Sequence, residues 1–154
     1  MLAISRYAKW LKPPLQDVAV VIVSSTALDP EVSDQLAVAI AEWNEVAHLR
    51  VEDMDGLQAD WLAANDGQPP RTGLAACEAS ELLRSVSQRC YLLDLESGGH
   101  VRLAWLGSVC GHALRCLQLD PAMPAQGSAH EQVERVVDVA RGLVKTLLQE
   151  RFTP

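Results

Sequence analysis

The sequence is short of positive charge and of cysteine, and each shortage excludes a class of protein. Thirteen Lys and Arg stand against twenty Asp and Glu, and the net charge of −7 argues against a nucleic-acid binder that relies on phosphate contacts. The four cysteines form no Cys-x-x-Cys pair and are too sparse for a disulfide scaffold. We therefore expect reduced cysteines and a cytoplasmic location.

Long apolar runs are missing as well. Nothing approaches the roughly 20 consecutive apolar residues of a membrane-spanning helix, and charged residues interrupt the N-terminus before a secretory signal can form. We expect no integral membrane span and no cofactor. The 154 residues fit one globular domain, residues 1–154, in which residues 1–14 are a basic N-terminal arm.

The arm carries positive charge on Arg6, Lys9 and Lys12 and has no acid. Its apolar residues recur at helical spacing, which predicts a short helix from Met1 to Leu11. A basic helix permits peripheral membrane contact by residues 1–12, although three charges give little membrane affinity. The favoured interpretation is an arm packed on its own domain, with its cations near an acidic surface.

A buried strand from Asp17 to Ser25 is the first clear element, because its centre is a continuous apolar run. Asp29-Pro30 is a good helix start, and the apolar spacing predicts a helix to about Val46. A weaker strand follows at 48–52. Strand, helix, strand at this spacing predicts a parallel pair joined by a right-handed crossover.

Polar residues follow both strands of this pair. Ser24, Ser25 and Thr26 lie beside a helix N-terminus, where hydroxyls can hold an anion. Asp53 and Asp55 carry oxygens suited to a divalent metal. Both groups leave the carboxyl edge of the sheet, where ligands bind in open α/β sheets. The glycines of a phosphate loop are absent, so capping and solvation remain the favoured roles.

Residues 90–106 predict a β-hairpin, with a three-residue loop at Ser97-Gly98-Gly99 and Gly99 in the left-handed conformation. This register places three apolar or aromatic pairs on one side. The pairs are Leu95 with Val101, Leu93 with Leu103, and Tyr91 with Trp105.

Residues 111–119 fit either a third meander strand or a helix, and we favour the strand because Gly111 weakens a helix. Three further segments predict helices, at 56–67, 73–88 and Ala129–Arg151. The fold class is therefore α/β with a single mixed sheet of four to five strands, a parallel pair plus an antiparallel hairpin or meander, covered by helices.

Cysteine and histidine chemistry has weaker support. Cys110, His112 and Cys116 lie close together, but their spacing matches no common zinc pattern. Gly107-Ser108-Val109-Cys110-Gly111 fails the nucleophile-elbow pattern, which needs small residues two before and two after the nucleophile. Buried structural cysteine is the favoured interpretation.

Two functions remain. The first is a non-enzymatic cytoplasmic protein-binding or assembly module, self-associating, because four Trp stand against one Phe and Trp is favoured at interface centres. Its candidate contacts are Trp10, Val139 and Leu143, the last two at the margin of the C-terminal helix, unless the arm covers that margin. The alternative is a small enzyme or an anion- or metal-binding protein at Ser24–Thr26 and Asp53–Asp55. We lean away from an enzyme.

Overall fold

A computed structural model describes residues 5–66, 77–119 and 129–152. Its strands are Ala8–Lys12 (β1), Val20–Ser25 (β2), Val46–Val51 (β3), Tyr91–Glu96 (β4) and Ala113–Gln118 (β5). Its α-helices are Pro30–Ile40 (α1), Met54–Ala64 (α2), Glu78–Leu83 (α3), Gly107–Cys110 (α4) and Ala129–Phe152 (α5), and a 3₁₀ turn covers Ala104–Leu106.

The strands form a single mixed sheet in the order β1-β3-β2-β4-β5, in which β1 is antiparallel to β3 and the other neighbours are parallel. The predicted α/β class is confirmed. The chain moves outward from β2 to β3 and then crosses back to β4 on the other side of β2. Right-handed crossovers in opposite directions place their helices on opposite faces, so the sheet is doubly wound and reverses its order between β2 and β4.

Apolar side chains of the sheet pack against helices on both faces. Val20 and Ile22 face α1 and α5, whereas Val21 and Val23 face α2, α3 and α4, and all four are fully buried. This explains the uninterrupted apolar run in β2, because a central parallel strand has no solvent face. None of the helices in the described residues is long and apolar enough to cross a membrane.

The predicted parallel pair is confirmed, since β2 and β3 pair in parallel along their length. Asp29 caps α1 by accepting a hydrogen bond from the Glu31 N–H. The helix ends at Ile40, earlier than the predicted Val46. There the Lys12 ammonium donates to the Ile40 carbonyl oxygen, a contact with a distant strand that the helix sequence alone does not reveal.

The predicted N-terminal helix is wrong where the structure describes it, since Ala8–Lys12 form the edge strand β1. Ala8 is buried whereas Lys9 is exposed, the period-two alternation of a strand. The first four residues lie outside the described residues.

The arm packs on its own domain with its cations near acidic residues, which is the interpretation that the sequence favoured. Lys9 lies 3.3 Å from a Glu52 carboxylate oxygen and Arg6 lies 3.9 Å from Glu78. The hypothesis of peripheral membrane contact by residues 1–12 depended on a helix. Residues 8–12 form a strand, so this support is removed.

The predicted hairpin is also wrong. After β4 the chain turns at Gly98 and Gly99, both with positive φ, but it does not return as a strand. Leu103 and Leu106 are buried against the α2–α4 face, whereas Val101 is 56% exposed. The segment is a short crossover, because it leads to β5, which pairs with β4 in parallel.

The remaining helices and strands agree more closely with the sequence predictions. Residues 111–119 contain a strand as favoured, although it is parallel to its neighbour and not part of a meander. The C-terminal helix is confirmed. The helix predicted at 73–88 is shorter, running from Glu78 to Leu83 after a Cys77 N-cap, and residues 73–76 lie outside the described residues.

Candidate functional site

At the carboxyl end of β2, two of the three candidate hydroxyls have hydrogen-bond partners within the chain. Ser24 is buried, and its Oγ lies 2.7 Å from Nε2 of His48 in β3. The Ser25 Oγ accepts a hydrogen bond from the Ala27 N–H at the entry to α1. Thr26 is exposed. The sequence predicted a site at this edge but did not include His48. His48 comes close to Ser24 only because β2 pairs with β3.

His48 is fully buried, and its Nδ1 has no hydrogen-bond partner among the described residues. Burial, and then the positive charge of Arg50, lower the pKa of His48 to about 4. The ring is therefore neutral near pH 7.

The acidic loop after β3 does not join these hydroxyls in one pocket. Asp53 caps α2 by accepting from the Gly56 N–H at 2.9 Å, and Asp55 lies in the first turn of that helix. The loops diverge because α1 and α2 cover opposite faces of the sheet. Within the described ranges no group of three or more His, Cys, Asp or Glu is placed to hold a metal ion. Metal binding by Asp53 and Asp55 stays a prediction.

The neighbour of the β2 exit is instead the loop after β4. A hollow of about 60 Å³ is lined by Ser25, Glu96 and Arg102 among others, and a second of about 80 Å³ is lined by Thr26 and Arg50 among others. Small-molecule sites typically have volumes of about 300–1,000 Å³. These hollows have room for a few waters or a small anion.

A carboxyl pair lies beside this edge on the α2–α4 face. Asp94 is fully buried, and neither of its oxygens has a hydrogen-bond donor among the described side chains and backbone. Burial, and then hydrogen bonding and charge from Glu96, raise the pKa of Asp94 to about 9. Protonated Asp94 can donate to Glu96, while Glu96 Oε2 accepts from the Arg102 and Leu103 N–H groups at 2.8 and 2.9 Å. The pair fixes the start of the crossover.

The cysteines and histidine of residues 110–116, for which structural roles were favoured, belong to no group of three or more candidate metal ligands in the described part of the chain. His112 is buried and its Nε2 donates to the Val86 carbonyl oxygen at 3.1 Å. Cys110 is half-buried, and burial raises the pKa of its thiol, which weakens it as a nucleophile. Cys116 lies exposed on β5.

A long groove runs between α1 and α5 on the other face of the molecule. Its first part has a volume of about 850 Å³ and includes Val38, Val133 and Val137. A second part of about 570 Å³ adjoins it and includes Trp43 and Val144. Val38 is 79% exposed, although it is apolar and lies within a helix. This groove is the strongest candidate interface, because exposed apolar surface in a concavity marks contact sites.

Charge is distributed unevenly along the groove. Its first part has the acids Asp34 and Glu134 in the N-terminal halves of the two helices, and Asp138 and Arg141 nearer the middle of α5. Arg141 and Lys145 lie toward the other end, beside the acid Glu42. Glu134 is thus about two helical turns from Arg141, whereas Asp138 is about one turn from Arg141 and pairs with it at 3.0 Å.

The residues predicted as interface contacts lie elsewhere. Val139 and Leu143 are half-buried and pack against the core on the flank of α5 away from this groove. Trp10 is half-buried against the opposite core, so the arm does not cover α5. The width of the apolar arc identified the helix but not which of its margins faces solvent.

No protein-family model matches the chain, and a search of curated proteins finds no match. The fold places it among doubly wound α/β proteins, a class that hosts many functions. Function therefore has to be argued from the surfaces and pockets described above.

Proposed function

We propose that this protein is a non-enzymatic binding module that pairs with a second copy of itself through the groove between α1 and α5. The observation that carries the proposal is the groove of about 850 Å³ with Val38 79% exposed beside it. Trp43, half-buried in the adjoining part, is the residue type that contributes most at interface centres.

Charge complementarity favours a second copy as the occupant. A two-fold axis across the groove would bring Glu134 and Asp138 of one protomer against Arg141 and Lys145 of its partner. Both groups are exposed, and the Arg141–Asp138 pair within one helix, at 3.0 Å, would be exchanged for contacts across the interface. Such contacts select orientation more than they add affinity.

The alternative, an enzyme or an anion- or metal-binding protein at the carboxyl edge, has less support. The hollows there measure about 60 and 80 Å³ and do not include Asp53 or Asp55. A cytoplasmic location is part of the proposal, supported by four free cysteines, of which Cys116 is exposed.

The first experiment measures molar mass by light scattering across a range of protein concentrations. The wild type should approach twice the monomer mass, and Val38→Asp should shift it to the monomer because a charge enters the apolar centre. Val101→Asp is the matched control, since Val101 is 56% exposed but lies outside the groove. A wild type that stays monomeric at high micromolar concentration would exclude the proposal.

A second experiment tests the orientation. Arg141→Glu with Lys145→Glu should give a monomer, and so should Glu134→Lys with Asp138→Lys. Mixing the two variants should restore a heterodimer, because every reversed charge then meets its complement. If the mixture stays monomeric while the wild type dimerises, the two-fold arrangement is wrong.

A further inference from the structure

A separate pocket of about 240 Å³ lies between the edge of the sheet and α1. Its lining residues are Leu11, Lys12, Ala37, Ile40, Ala41 and His48. Lys12 and His48 are register partners in β1 and β3, so both side chains lie on the α1 side of the sheet. The pocket uses the flank of α1 away from the α5 groove.

The hydrogen bonding of His48 identifies which proton lacks a partner. Nε2 lies 2.7 Å from Ser24 Oγ. If Ser24 donates its hydroxyl proton to Nε2, the neutral ring has its proton on Nδ1. The opposite tautomer would leave both the Ser24 hydroxyl proton and Nδ1 without partners, which costs more in a buried site. The structure therefore has a buried Nδ1–H donor that no described residue accepts.

Lys12 contributes a second donor to the same pocket. Its ammonium donates to the Ile40 and Trp43 carbonyl oxygens at the end of α1. An ammonium has three N–H groups, so one remains. Apolar atoms of Leu11, Ala37 and Ile40 form the remaining walls.

We propose that this pocket binds a small monocarboxylate with a compact apolar body, its carboxylate accepting from His48 Nδ1 and from Lys12. A buried donor without an acceptor is uncommon in proteins and calls for an occupant. The pocket volume of about 240 Å³ is adequate for a body of benzene size, since an engineered cavity of about 150 Å³ holds benzene.

Burial leaves the His48 ring neutral, and positive charge for an anion comes from Lys12 and Arg50. Arg50 adds positive charge near His48 and helps to lower its pKa. Burial lowers the pKa of Lys12, an effect opposed by the carboxylates of Glu42 and Glu45. Those two acids favour the charged ammonium that the carboxylate needs.

Benzoate is the probe for the test, with benzyl alcohol as its uncharged counterpart. Millimolar benzoate should shift the imidazole NMR signals of His48 in a saturable manner, and benzyl alcohol should bind at least tenfold more weakly. Ala37→Leu fills the pocket from an exposed helix position and should weaken benzoate binding at least tenfold. Ala39→Leu, two residues along the same helix but lining the α5 groove, should leave it unchanged.

Lys12→Met tests the second donor while it keeps the apolar stem, and it should abolish the preference for benzoate over benzyl alcohol. The proposal is overturned if benzoate does not saturate, or if Ala37→Leu binds it as tightly as Ala39→Leu does. Because the readout is a signal of one side chain, this result is independent of whether the protein dimerises.

Discussion

Two polar pairs are buried at the carboxyl end of the central strands, one on each face of the sheet. Ser24 and His48 lie on the α1 side, and His48 lines an open pocket. Asp94 and Glu96 lie on the α2–α4 side, where the crossover after β4 is held by Glu96. Each pair is kept neutral or singly charged by burial, but the surroundings differ.

The difference separates a polar pair that holds the fold from one that remains open to a ligand. On the carboxyl side Glu96 accepts from two backbone N–H groups and interacts with Asp94, although no hydrogen bond within the described residues reaches either Asp94 oxygen. On the other face His48 keeps one donor unused. Buried polarity is evidence for a site where its hydrogen bonding is incomplete and a cavity adjoins it.

The largest expected effect comes from Glu96→Ala. It leaves the N–H groups of Arg102 and Leu103 without their acceptor, and Leu103 is fully buried. Hydrogen bonds to a charged group contribute about 1.5–3 kcal/mol each, so the free energy of unfolding should fall by about 3–5 kcal/mol. Urea unfolding monitored by circular dichroism measures it.

Glu96→Gln is the control for this variant, because its amide oxygen still accepts and should recover part of the loss. A change below about 1 kcal/mol in Glu96→Ala, the size of an ordinary surface substitution or a weak hydrogen bond, would mean that Glu96 does not hold the crossover.

The two pairs should have opposite effects on the pH dependence of stability. The pKa of Asp94 rises from 3.8 to about 9, so the folded chain keeps a proton that the unfolded chain releases, and stability falls between these values. The pKa of His48 falls from 6.5 to about 4, so the unfolded chain binds the extra proton and stability rises across that range. The free energy of unfolding of the wild type should be nearly constant up to pH 6.5 and should then fall by at most about 1.4 kcal/mol per pH unit.

Two variants separate these contributions. Asp94→Asn should gain stability up to about pH 6.5 and then stay level, whereas His48→Gln should lose stability continuously to about pH 9. Unfolding free energies at fixed protein concentration give the profiles. Equal stability of the wild type at pH 6.5 and pH 9 would contradict the assignment of a neutral Asp94.

The smallest expected effect concerns the turn that the carboxyl pair adjoins. Gly99 has φ +76° with no atom within 4 Å of an added Cβ, so Gly99→Ala introduces backbone strain alone and should cost about 1–2 kcal/mol. Gly142, equally open but inside α5, is the matched control, and Gly142→Ala should stabilise by about 1 kcal/mol. A turn that tolerates Ala without loss is free to rearrange, so its conformation does not depend on Gly99.

The hairpin prediction failed for a reason that local sequence does not reveal. Alternation of apolar and polar residues over 100–106 fits a strand, but the segment forms a crossover that buries Leu103 and Leu106, three residues apart at a 3₁₀ turn, and exposes Val101. The choice depends on whether the α2–α4 face has room for those side chains. Leu57 and Leu82 belong to the same core cluster as Leu103 and Leu106, and both lie far away in the sequence.

The same limit applies to the candidate sites. Ser24 was identified from its place after a strand, yet its partner His48 and the orphan Nδ1 depend on the pairing of β2 with β3. The C-terminal helix was found by its apolar periodicity, but Val137 was not singled out, because the groove that it lines exists only where α1 lies beside the helix.

The sequence by itself determined the elements whose own side chains decide their structure. The uninterrupted apolar run specifies β2, the Asp29-Pro30 start specifies α1, and a wide apolar arc specifies α5. Tertiary structure alone decided β1, the crossover to β5 and the pocket at His48, since each depends on groups supplied by distant strands or helices. An edge strand has no hydrogen-bonding partner until its neighbour is in place, and a pocket exists only between elements that have already packed.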